Sequence, residues 1–110
     1  MKQYVIDQLS SQDYFLVKDY LDKHLKNAGM EGIYWIPIDE NLLTEVQKSH
    51  TQCQPFCFAV EIVPNKVTWE LLVRTNNRMR CNCMGYANEL QRNWLVGFAD
   101  SILERLKIKI

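Results

Sequence analysis

The chain has 110 residues, of which 47% are hydrophobic and 24% charged, with 13 basic side chains against 13 acidic ones. That length and apolar share describe one globular domain, residues 1–110, able to bury a core without disulfides, and they exclude a disordered chain. A formal net charge of zero excludes a whole-molecule field that recruits nucleic acid or an anionic membrane, so nucleic acid is a disfavoured partner.

No apolar run approaches the roughly 20 residues that span a bilayer. The start, Met1-Lys2-Gln3-Tyr4-Val5-Ile6-Asp7, lacks the apolar stretch and small-residue cleavage site of a secretory signal. Both features point to a cytoplasmic protein without a membrane partner. Its four cysteines are then expected as reduced thiols or metal ligands.

Tyr4-Val5-Ile6 reads equally as a short strand or a lead-in. Ser10, followed three residues on by Asp13, marks a helix start, with Leu9 placed to staple against Tyr14. Tyr14, Val17, Leu21, Leu25 and Ala28 recur at helical spacing, and Gly29 is the expected stop. Ile33 to Ile38 is β-branched and aromatic, hence a strand, with Pro37 at its edge or end because proline donates no ladder hydrogen bond. Thr44 and Gln47 form a second capping signature for a short helix ending near His50.

A three-strand meander follows. Phe56, Phe58, Val60 and Ile62 alternate with Cys57, Ala59, Glu61 and Val63, and Pro64-Asn65 makes a two-residue turn. That turn sets Ile62 against Val67, Val60 against Trp69, Phe58 against Leu71 and Phe56 against Val73, all on one apolar face. A three-residue loop at Asn76–Arg78 then sets Val73 against Cys81 and Leu71 against Cys83. The last element is a long helix from about Ala87 to Leu106, with Leu90, Trp94, Phe98 and Ile102 as its stripe. Trp35, Trp69 and Trp94 all read as core. The expected fold is an α+β two-layer sandwich. Its mainly antiparallel sheet has about four strands, the meander plus one, with the N- and C-terminal helices on one face.

Three surfaces carry chemistry. His50, Cys53, Cys81 and Cys83 gather at one end of the sheet in this register, with Cys81 and Cys83 about 7 Å apart on one side of a strand. Thiolates with an imidazole suit zinc, and iron is the alternative. The spacing lacks the turn of a Cys-x-x-Cys knuckle, and small core residues are the favoured reading of Cys81 and Cys83. A reactive thiol at Cys81, lowered by Arg78 or Arg80, is the third. Arg74, Arg78 and Arg80 cluster near a hairpin tip as an anion or RNA site, although partnership with Glu70 and Glu61 is the preferred account. The outer sheet face, with Cys57, Ala59, Leu72 and Met84, is apolar enough to serve a homodimer or a protein partner, unless the N-terminal segment or first helix crosses it.

No Ser-His-Asp set, phosphate loop, dinucleotide fingerprint or nucleophile elbow is present. The leading functional reading is therefore a small non-enzymatic binding or adaptor module. A zinc, iron or thiol-redox protein comes next, and an anion or RNA binder third.

Overall fold

A computed structural model describes residues 2–75 and 83–109 of the chain. The described elements are β1 (Gln3–Ile6), α1 (Ser11–His24), β2 (Lys26–Asn27), β3 (Ile33–Pro37), α2 (Glu45–Ser49), β4 (Phe56–Val63), β5 (Lys66–Glu70), β6 (Leu72–Thr75), β7 (Gly85–Tyr86) and α3 (Glu89–Arg105). They form an α+β fold in which seven strands make one antiparallel sheet in the order β1-β5-β4-β3-β2, with β6 on β4 and β7 on β6. The expectation of about four strands undercounts: the undecided Tyr4–Ile6 stretch is a strand, β2 has only two residues, too few for any periodicity to show, and the expected second meander strand is divided into β5 and β6.

Ser10 caps α1, accepting from the Asp13 amide at 3.0 Å. The helix stops at His24, short of Gly29, although the apolar spacing continues. Lys26 and Asn27 instead pair with Trp35 and Tyr34, and sheet pairing outweighs the local pattern. Asn27 closes this hairpin by accepting from the Gly29 amide at 2.7 Å and donating to the Met30 carbonyl at 3.1 Å. Pro37 stands at the end of β3, as its missing amide hydrogen requires.

The β4–β5 hairpin has the expected register, Ile62 against Val67 and Val60 against Trp69. Beyond Trp69 the pairing departs from expectation: Phe56 opposes Thr75 and Cys57 opposes Arg74, so Val73 is not the partner of Phe56. Between the Val60–Trp69 and Phe56–Thr75 pairs, β4 advances four residues and the opposing chain six. The two extra residues fall at a break around Leu71, whose amide donates to the Lys2 carbonyl at 3.1 Å and whose carbonyl accepts from the Ala87 amide at 2.8 Å. Leu71 is thus where the outer neighbour changes from β1 to β7. Because the offset is even, the two-face alternation survives it, and Val73 and Thr75 remain buried.

The second hairpin also departs from expectation. Val73 opposes Gly85 and Leu72 opposes Tyr86, so neither Val73–Cys81 nor Leu71–Cys83 is a pair. Cys83 lies in a turn rather than a strand.

Both long helices cover the same sheet face. Trp94 stacks on Phe58 with ring centroids 6.3 Å apart, and Phe98 meets Trp69 edge-on at 6.5 Å. Tyr4 of β1 donates to the Asp100 carboxylate at 2.7 Å. From α1, Asp22 accepts from the Tyr34 hydroxyl and Lys18 donates to it at 3.3 Å. Between the layers lie Val17, Leu21, Tyr34, Phe58, Val60, Trp69, Leu95 and Ile102, each at most 1% exposed.

The opposite face carries no described helix, and the N-terminal segment does not cross it but joins the sheet as β1 beside β5. Trp35 pairs with Ala59 on this face and is half-buried, so it is not a core residue as expected. No helix among the described residues is long and apolar enough to cross a membrane.

Candidate metal centre

His50, Cys53 and Cys83 place one ligand atom each within 4.8 Å of one another. The two cysteines are buried and His50 is half-buried. Tetrahedral zinc with sulfur ligands at about 2.3 Å holds its donors about 3.8 Å apart, so a contraction of about 1 Å completes the set.

Local structure explains the first two ligands. Thr44 and Gln47 form the reciprocal capping box of α2, and His50 is its C-cap. The chain then tightens into a 3-10 turn over Thr51–Cys53, with the Cys53 amide donating to the His50 carbonyl at 2.9 Å. Side chains three apart eclipse one another in that geometry. The turn therefore aims an imidazole and a thiol to one side, which the His-x-x-Cys spacing alone did not reveal.

Cys83 arrives from the turn ahead of β7 and is buried in the same core cluster as Cys53. It lies two residues before Gly85, and Gly85 opposes Val73. Thr75 lies two residues past Val73, opposite Phe56, and its hydroxyl donates to the Cys53 carbonyl. Thr75 thus stands beside the turn that carries Cys53, and Cys83 comes within reach of that turn from the other chain segment. Three of the four expected donors therefore approach one another, with β6 and β7 paired in registers other than the expected ones.

The sequence's fourth ligand, Cys81, lies outside the described residues, as do Arg78 and Arg80. Arg74 pairs with Glu70, Nε to Oε1 at 3.1 Å, in the partnership preferred from the sequence. Cys57 lies on the sheet face opposite the long helices, away from the cluster, and burial pushes its thiol up against a smaller lowering effect of Lys26. That makes it a poor thiolate. Of the other residues assigned to the outer face, Ala59 is buried, and Leu72 and Met84 are half-buried.

Sequence reasoning missed a buried polar bridge beside the site. Asn88 and Gln91 form the capping box of α3, and the Gln91 amide reaches across to Gln47, the equivalent residue of the α2 box, at 2.9 Å. The repeated signature, Thr44-x-x-Gln47 and Asn88-x-x-Gln91, was the available signal. No protein-family model, curated protein or solved structure matches this chain.

Proposed function

We propose that this protein is a metal-binding domain in which His50, Cys53 and Cys83 hold a zinc ion, with Cys81 as the fourth ligand of a closed structural site. The observation that carries the reading is the approach, within 4.8 Å, of three donor atoms from two distant parts of the chain, the His50–Cys53 turn and Cys83, with both cysteines buried. One imidazole with thiolates is a ligand set suited to zinc, which needs no redox partner. The reading places the protein in a reducing compartment such as the cytoplasm, where thiols stay available to metal.

The test is elemental analysis of protein purified without chelator. One zinc per chain is expected. Cys53→Ser and Cys83→Ser lose it, whereas Cys57→Ser, on the other sheet face, keeps it. Wild-type protein that stays metal-free after zinc loading under reducing conditions refutes the proposal.

A second reading is a non-enzymatic binding module that docks a partner, or a second copy, on the sheet face opposite the long helices. It is supported by half-buried Trp35 and exposed Val5 on a face without a described helix. A sedimentation profile that stays monomeric at high concentration counts against self-association.

A further inference from the structure

We infer that Gln91 and Thr75 are positioning residues of the metal centre, holding the His50–Cys53 turn from its two sides; this rests on the zinc reading above. Among the described residues four polar side chains are buried: Gln47, Thr68, Thr75 and Gln91. Three of the four serve one short segment, from Leu42 to Cys53. Gln91 Nε2 donates to Gln47 Oε1 and to the Leu42 carbonyl, both at 2.9 Å. Gln47 Oε1 also accepts from the Thr44 amide at 3.0 Å, and the Gln47 carbonyl accepts from the His50 amide at 3.2 Å. On the other side the Thr75 hydroxyl donates to the carbonyl of Cys53.

The segment needs such support. A helix of five residues is far too short to hold its own geometry. Apolar side chains of similar size would fill the same space without requiring partners. Directional bonds instead set the angle at which α2 delivers His50 and at which the 3-10 turn delivers Cys53. Metal affinity depends steeply on such orientation, and loss of a supporting hydrogen bond weakens it by about 10- to 100-fold.

The experiment compares zinc affinity, by competition with a chromophoric chelator, and the visible spectrum of the cobalt-loaded protein. The variants are wild type, Gln91→Met, Thr75→Val and Asn88→Ala. Thr75→Val preserves side-chain shape and guards against a Gln91 variant that fails to fold. Asn88→Ala removes a helix cap, and so lowers stability, while leaving the Gln91–Gln47 bond in place. Gln91→Met and Thr75→Val are expected to bind zinc about 10- to 100-fold more weakly and to shift the cobalt bands. Asn88→Ala should match wild type in both. Wild-type affinity in Gln91→Met and Thr75→Val overturns the positioning role and leaves the metal centre standing. An equal loss in Asn88→Ala also overturns it, because general stability then explains the effect. Wild-type protein that binds neither metal removes the centre and this inference together.

Discussion

Gly32→Ala tests the strand approach at the start of β3. Gly32 has φ of +81°, and a Cβ built there would stand 2.8 Å from the Ile62 carbonyl oxygen, a backbone atom that cannot rotate away. The Gly32 carbonyl also accepts from the Ile62 amide at 2.8 Å, so relieving the clash by moving the strands apart weakens that bond. The left-handed conformation costs an alanine about 1–2 kcal/mol, and a compromised backbone hydrogen bond adds about 1 kcal/mol. Together these give about 2–3 kcal/mol.

Two other glycines calibrate the value. Gly29 has φ of +91° but open space around its Cβ position, so Gly29→Ala should cost only the conformational part, about 1–2 kcal/mol. Gly97 is exposed within α3 with nothing near its Cβ position, and Gly97→Ala should stabilise by about 0.5–1 kcal/mol. Urea denaturation at constant m measures all three. With an unfolding entropy of about 2.1 cal/mol/K per residue, a chain of this length loses about 4 °C of Tm per kcal/mol. If Gly32→Ala is no worse than Gly29→Ala, the close approach to Ile62 does not exist in solution and the argument fails.

Zinc at about 100 times its Kd should add about 2.7 kcal/mol of stability, and His50→Ala should remove that increment in the same urea titration. The hydrogen bond to Asp100, with burial, pushes the Tyr4 phenol from 10.0 up to about 12. A raised folded-state value means that the neutral phenol is favoured by folding. This stabilisation is therefore complete below pH 10 and disappears as the pH climbs toward 12; Tyr4→Phe should flatten that part of a stability–pH profile. Trp69 is fully buried and its indole nitrogen has no partner among the described residues, and removing an unsatisfied donor recovers about 1–3 kcal/mol against the packing lost. Trp69→Phe should thus cost under about 2 kcal/mol in denaturation, and a loss above about 4 kcal/mol would show that the indole N–H has a partner in solution.

Local chemistry wrote much of this fold into the chain. Ser10, Thr44 and Pro64-Asn65 mark helix starts and a turn through interactions within a few residues, and the strict alternation from Phe56 to Trp69 assigns faces because successive strand side chains must oppose. His50, Cys53, Cys81 and Cys83 stood out as candidate donors by residue type and an assumed strand register. Tertiary structure decided the rest. The end of α1 was set by pairing of Lys26–Asn27 with β3, and the break at Leu71 by the change of neighbour from β1 to β7. The Gln47–Gln91 bridge exists only because two helix starts meet. Hydrogen bonds between distant strands and helices leave no periodic trace in the sequence, so the register that brings Cys83 to His50 and Cys53 became legible only in three dimensions.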